Sequence, residues 1–522
     1  MCSITFLKGE KIMLLSGNIS VVLAIVIYMA MMIYIGAKYS KQNKTTDDFY
    51  LGGRKLGPLV TAMSAEASDM SAYLLMGIPG LALMTGLAEA AWTAIGLAIG
   101  TYLNWLFVAK RLRKYSEKID AVTLPEFFSK RFGDKKNILS LISALFIVVF
   151  FVPYTASGFS ACGKLFGTMF GMDYMTAMII SAVVIVVYCT LGGFLAASTT
   201  DLVQSIVMTI ALITVLGISE GFVGGFGNIF SNAKELTGYL DLTKGFNVAI
   251  GETGSFGVFS IVTTLAWGLG YFGMPHILLR FMAIDDANKL KTSRRIASVW
   301  VVISMGVALL IGVAGYSMIK AGFIAPYADS SASEAIIVDI SKLISKMGYL
   351  PAFLGGIFLS GILASTMSTA DSQLIAASSS VTRDVIVNTF KVNLSEKKIM
   401  LIARLSVIVI SVVAIFLARD PNSSVFRIVS FAWAGFGAAF GPVMLLGLFW
   451  KRTNKWGALA GMIVGAGMVF IWKFVIAPIG GVLAVYELLP AFICALIAIV
   501  IVSLLTKAPE KEITDTFESI NN

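Results

Sequence analysis

The residues best suited to chemistry lie in Ser64-Ala-Glu-Ala-Ser-Asp-Met-Ser-Ala-Tyr-Leu-Leu-Met-Gly77, inside an apolar segment of 59–84. Glu66, Ser68, Asp69 and Ser71 sit near the middle of a stretch long enough to cross a bilayer. A carboxylate at mid-membrane costs about 2.5–3.5 kcal/mol on insertion scales, so such groups face protein, water or a bound ion. This reads as half of a binding site. Ala67 and Met70 are one helical turn apart, and unwinding there would present backbone carbonyls to a small hard cation, which takes oxygen ligands. Asp69 supplies charge beside them. Glu66 faces either a water-filled vestibule or the protein interior.

A second group of oxygens lies in Ser360-Gly-Ile-Leu-Ala-Ser-Thr-Met-Ser-Thr-Ala-Asp-Ser-Gln373. Ser365, Ser368 and Thr369 share one helical face at i, i+3, i+4, Ser372 follows a turn on, and Asp371 adds charge. Such hydroxyls can bond their own helix carbonyls, but the stripe and its acidic neighbour favour a sodium ion held between this face and the carbonyls of Ala67 and Met70. The third group is Trp267-Gly-Leu-Gly-Tyr-Phe-Gly-Met-Pro-His276, where three glycines and a proline cannot make a good uninterrupted helix. Trp267, Tyr271 and Pro275 recur every four residues, a stripe that serves packing or a compact apolar ligand. The ends of broken helices would take the charges of a zwitterion: amides for a carboxylate, carbonyls for an ammonium. Tyr154 is a candidate hydroxyl at the same depth, and His276, the only histidine, is expected to make a structural hydrogen bond. Asp201 fits either an ion path or a helix cap, and spacing alone favours the cap.

The elements that must position these groups are membrane helices. Of 522 residues 57% are hydrophobic and 13% charged, where a soluble protein carries about 25% charged. Apolar segments are expected at 18–38, 59–84, 88–109, 138–166, 174–195, 202–223, 255–280, 297–319, 349–379, 399–418, 425–449, 456–477 and 484–506, an all-α polytopic membrane protein with 13 spans. The net charge of +10 does not point to nucleic acid, because the basic residues gather in alternate short loops. Lys41, Lys44, Arg54, Arg111, Arg113, Arg131, Arg294, Arg295, Lys451 and Arg452 fall on one side, which predicts the N-terminus outside and the C-terminus inside. The first segment reads as a retained span, with no small-residue cleavage site. Loops at 224–254 and 320–348 are expected to carry short surface helices, and the tail 507–522 to be solvated. The four cysteines form no CxxC pair, so neither a disulfide framework nor a zinc site is indicated. Interrupted spans at matching positions, the second and seventh, are the signature of an inverted-repeat transporter with a mid-membrane site.

At these residues the chain resembles the sodium/solute symporter family, and within it the proline branch. The resemblance spans the first to the thirteenth segment. It rests on Phe49-Tyr-Leu-Gly-Gly-Arg-Lys-Leu-Gly-Pro58, Ala67-Ser-Asp-Met-Ser71, Leu191-Gly-Gly-Phe-Leu-Ala196, the Trp267 to Ile277 stretch, Met367-Ser-Thr369 and Ala432-Trp-Ala-Gly-Phe-Gly-Ala-Ala-Phe-Gly-Pro442. It implies a leucine-transporter-type 5+5 inverted repeat in one transmembrane domain. The first repeat would be 59–223 and the second 255–449, with an extra N-terminal span and loop (18–58), two C-terminal spans (456–506) and a cytoplasmic tail. By resemblance Ala67, Met70, Ser365, Ser368 and Thr369 match the sodium site, and Asp69 a carboxylate needed for sodium-dependent uptake. Ser71, Tyr154, Trp267, Tyr271 and Pro275 match proline positions, and Arg54 and Asp201 match positions affecting sodium coupling at the inner side. Three residues depart from the family pattern: Glu66 stands where a small residue, usually Gly, is expected, Ala72 replaces a Gly, and Asp371 replaces a small hydroxyl residue.

The expected function is sodium-coupled uptake of L-proline through the cell membrane by alternating access, with sodium as coupling ion and no other cofactor. Alternatives are sodium or proton symport of another small amino acid or carboxylate, or a transporter-like solute sensor, against which the short tail argues. An enzyme is not expected, since no nucleophile–base or metal set appears.

Overall fold

Hydrocarbon offers backbone amides no water, so a spanning chain forms helices or a closed barrel, and long apolar runs in a chain of mean hydropathy +0.86 favour helices, which satisfy each segment by itself. The computed structural model describes residues 2–40, 45–248 and 250–520, so Lys41 and Lys44 lie outside the described residues. Among these, eleven helices are long and apolar enough to cross a membrane, and twelve if one bent pair counts as a span. The remaining expected segment, the fifth, appears as a shorter apolar helix at Tyr174–Thr190.

The chain opens with α1 (Cys2–Ser40) and a short α2 (Thr46–Leu51), whose Thr45 and Asp48 form a capping box. The second span is α3 (Pro58–Ala72), a π stretch at Tyr73–Gly77 and α4 (Ile78–Thr85). Its membrane window is 100% buried, against 28% for α1, so it has no lipid face and its polar groups all meet protein. The third span is α5 (Leu87–Leu103), which runs through Asn104–Ala109 into α6 (Lys110–Lys118); a short, mostly buried helix α7 (Leu124–Arg131) and the fourth span α8 (Ile138–Phe170) follow. The expected fifth and sixth spans form α9 (Tyr174–Val223), two helices joined at Gly193, whose φ of 66° and ψ of −179° suit glycine. The junction therefore falls at 192–193 and not at 196–201 as expected.

The long loop after α9 holds α10 (Phe226–Glu235), as expected, and also a hairpin, β1 (Lys244–Asn247) against β2 (Glu252–Ser255), which was not. The seventh span is α11 (Val258–Leu265), a tight 3-10 stretch Ala266–Gly273, an extended Met274, and α12 (Pro275–Ala283), bent by 48°. The eighth is α13 (Leu290–Lys320). The loop beyond it carries α14 (Ser330–Ser333) and α15 (Ile336–Ser345). Glu334 between them receives Lys164 Nζ at 2.8 Å and the backbone N–H groups of Val425 and Phe426. It thus caps the N-terminus of the helix that begins at Val425 and stitches the loop to α8. The last spans are α16 (Tyr349–Ser379), α17 (Glu396–Leu417), α18 (Val425–Phe449), α19 (Lys455–Ile471) and α20 (Leu488–Leu505).

The tail does not stand free in solvent as expected. It forms α21 (Lys511–Ser519), whose Phe517 is buried against Tyr115 and under the Arg131 guanidinium at 4.8 Å. An amphipathic tail with one aromatic on its apolar face finds a cation–π slot that its polar composition conceals.

The core is built by α3, α16 and α18, with α9, α12 and the 266–273 stretch packed on them. Close approach at the break depends on glycine: a Cβ on Gly100 would lie 2.3 Å from the Gly268 carbonyl oxygen.

Candidate ion and solute site

The second span breaks at Ser71, with φ 47° and ψ −168°, a conformation a side-chain-bearing residue adopts only when its surroundings impose it. The break comes just after the expected Ala67–Met70 turn. Met70 stays within the helix end, its carbonyl accepting from Tyr73 N. The Ala67 carbonyl accepts from the Ser368 hydroxyl at 2.8 Å, which joins the second span to the hydroxyl face of α16. On that face Ser365 donates to Ile362 O at 2.8 Å and Thr369 to Ser365 O at 3.0 Å. Their hydrogens are spent on their own helix, the local bonding open to such hydroxyls. Their oxygens retain lone pairs, and Ser368 alone of the three donates across to the second span.

Asp69 is the hub of the other side. Its Oδ2 accepts from the Tyr271 hydroxyl at 2.5 Å, and its backbone carbonyl from the Tyr154 hydroxyl at 3.1 Å. Asp69 Oδ1 has no hydrogen-bond partner among the described residues. The structure therefore brings Asp69, Tyr154 and Tyr271 together, with Ser71 at the break two residues on. Glu66, one turn before Asp69, faces the protein interior and accepts from Trp105 Nε1 at 3.0 Å.

The expected stripe Trp267, Tyr271, Pro275 does not form one face. At three residues per turn, positions four apart diverge by about 120°, so the 3-10 stretch sends the two rings to different places. Trp267 lies between Tyr73 (5.4 Å) and Tyr486 (5.0 Å), near-parallel to both, with Phe426 at 5.5 Å. Tyr271 turns to Asp69. Pro275 opens α12, where its missing N–H leaves no donor unsatisfied. The His276 ring packs against Phe151, with the Ser68 backbone beside it.

Asp201 is no helix cap. The turn at Gly193 puts it well inside the sixth span, fully buried, where Arg280 Nη2 pairs with its Oδ2 at 3.0 Å. Ser64 donates to the same oxygen at 2.6 Å and accepts from Arg280 Nε at 3.0 Å. Arg280 also donates to His276 O (2.9 Å) and Ser372 Oγ (2.5 Å), and Ser372 donates to Asp371 (3.1 Å). One arginine thus gathers four helices around a buried acidic pair. Arg54, in a loop with φ 55°, donates to Met282 O and Ala121 O, each at 2.7 Å. The backbone of Leu56 pairs with Ala283 and Asp285 beside it, so this loop clamps the end of α12.

Arg280, Trp105, Tyr73, Phe426, Trp433 and Tyr486 escape the sequence reading. Arg280 falls at the edge of the expected seventh span, where a basic residue looks like a boundary signal. A lone cation inside Ile277-Leu-Leu-Arg-Phe-Met-Ala283 is the sign that could have marked it.

The family described as Sodium:solute symporter family matches residues 49–465. The chain is 43% identical to the high-affinity proline transporter PutP of Bacillus subtilis (strain 168), over 93% of this chain and 98% of that one. It is 42% identical to the sodium/proline symporter of Escherichia coli (strain K12), over 94% of each. Its fold is that of a sodium-coupled sialic acid symporter solved in a substrate-bound outward-open state, with a TM-score of 0.75 at 19% identity, covering 94% of this chain and 99% of that one. The breaks in the second and seventh spans, their meeting at Asp69 and Tyr271, and these likenesses agree: the chain belongs to the sodium:solute symporter family.

Proposed function

We propose that this multi-pass plasma-membrane protein takes up L-proline coupled to sodium entry, as a transporter and not an enzyme. The observation that carries the reading is the meeting of two broken spans with the α16 hydroxyl face: Ser368 on Ala67 O, and Tyr271 on Asp69. The donor set is all oxygen, as a small hard cation requires. Sodium binds among the Ala67 and Met70 carbonyls, Ser365, Ser368 and Thr369, with Asp69 supplying charge nearby. Proline binds between Ser71, Tyr154, Trp267, Tyr271 and Pro275, its charges met by the open helix ends at the breaks. Sodium ties α3 to α16 and thereby shapes the solute wall, so the ion favours solute binding and the solute favours ion binding equally.

Thirteen spans cross the membrane, with the N-terminus outside and the C-terminus inside, and residues 59–223 and 255–449 form the 5+5 inverted repeat. Alternating access then exchanges two sets of contacts. At the outer end the rings of Tyr73, Phe426 and Tyr486 around Trp267 separate; at the inner end Arg54 releases Met282 and Ala121. Asp201, Arg280 and Ser372 line the route from the ion site toward that inner end.

Labelled proline accumulation in proteoliposomes tests this. An inward sodium gradient should drive uptake that a negative interior potential increases, by about 2.3 kcal/mol per charge per 100 mV. Accumulation indifferent to sodium would overturn the reading.

A further inference from the structure

We propose that Trp433 is a positioning residue that places both aromatic side chains of the solute wall, an inference that rests on the reading of Trp267, Tyr271 and Asp69 given above. Trp433 lies on α18, buried, and touches neither the proposed ion oxygens nor Asp69 by any hydrogen bond. Its indole N–H donates to the Trp267 carbonyl at 2.8 Å, inside the 3-10 stretch. Backbone bonding in such a stretch is poorer than in an α-helix, so a side-chain donor there holds a conformation that the helix itself does not. The same ring stands edge-on to Tyr271, with centroids 5.0 Å apart and planes at 86°, and lies 6.5 Å from Trp267. Gly270 sits directly beneath the indole; a Cβ there would fall 1.9 Å from Trp433 Nε1. Residues 267, 270 and 271 of the break are thus in register with one side chain of another span.

The two contacts do different work. The N–H holds the backbone at Trp267 and so sets that ring against the solute. The ring edge holds Tyr271, whose hydroxyl reaches Asp69 Oδ2, and so acts on the ion side through Tyr271. Two substitutions separate them. Trp433→Leu loses both contacts, whereas Trp433→Phe keeps an aromatic edge and loses the N–H.

The test is sodium-driven proline uptake in proteoliposomes, with the half-saturating concentrations of sodium and proline read separately for each variant. Trp433→Leu should raise both, each by about fivefold, the effect of one lost hydrogen bond or ring contact. Trp433→Phe should raise the proline value alone, and its smaller but still aromatic ring keeps the test usable should the leucine variant not fold. Trp433→Leu added to Tyr271→Phe should leave the sodium value where Tyr271→Phe alone puts it, because the hydroxyl being positioned is already gone. Wild-type uptake with Trp433→Phe unchanged in both constants overturns this role and leaves the transport reading intact. So does a sodium effect of Trp433→Leu that adds in full to that of Tyr271→Phe. Wild-type uptake indifferent to sodium removes the transport reading and this role with it.

Discussion

Arg280 is the sharpest point at which to strain this structure. Its guanidinium and the Asp201 carboxylate are 1% and 0% exposed and 3.0 Å apart. Arg280→Met keeps much of the volume and removes the charge. Asp201 would then accept only from Ser64, and Asp371 only from Ser372. Removing one partner of a buried pair costs about 3–5 kcal/mol, which is two to nearly four decades in the folding equilibrium at about 1.4 kcal/mol per decade. Side chains in a membrane-embedded unfolded state also find partners, which places the expectation at the lower end. Asp201→Asn added to Arg280→Met should recover part of the loss. Adding Asp371→Asn should recover most of the rest, because Arg280 offsets both carboxylates. Equilibrium unfolding in mixed micelles, followed by the fluorescence of the eight tryptophans, measures all of these variants. The reasoning fails if Arg280→Met stays within about 1 kcal/mol of the wild type, or if neutralising Asp201 in that background restores nothing.

Three further outcomes follow from the geometry. Thr369 bonds only its own helix, so Thr369→Ala should leave membrane abundance unchanged while raising the sodium half-saturation about tenfold, the worth of a contact to a charged ligand; sodium activation curves alongside immunoblots decide it. Trp267→Ala removes the face between Tyr73 and Tyr486 and should raise half-saturating proline at least about tenfold; an unchanged value in uptake assays would remove Trp267 from the solute wall. Phe517→Ala empties the slot beneath Arg131, so α21 should detach, and limited trypsin digestion of membranes should cut at Lys507 and Lys511 about tenfold faster.

Much of this protein is legible in its sequence because bilayer physics is local. Long apolar runs force helices, so the second, ninth and eleventh spans emerge close to their observed bounds, and Gly, Pro and polar residues expose the breaks in the second and seventh. Hydroxyl spacing on α16 and the carboxylate at Asp69 identify oxygen-rich faces without any fold. What the sequence could not decide is where side chains go once a helix departs from 3.6 residues per turn. The 3-10 geometry of 266–273 splits the Trp267–Tyr271–Pro275 stripe, sending one ring into an aromatic stack and the other to Asp69. Gly193 moves the turn between the fifth and sixth spans, and that alone converts Asp201 from a capping residue into the partner of Arg280. The docked tail is a third case, since Phe517 finds Arg131 across hundreds of residues. Local sequence determined which residues could not be left in lipid. Only tertiary packing, through contacts between helices remote in the chain, decided which of them compensate one another.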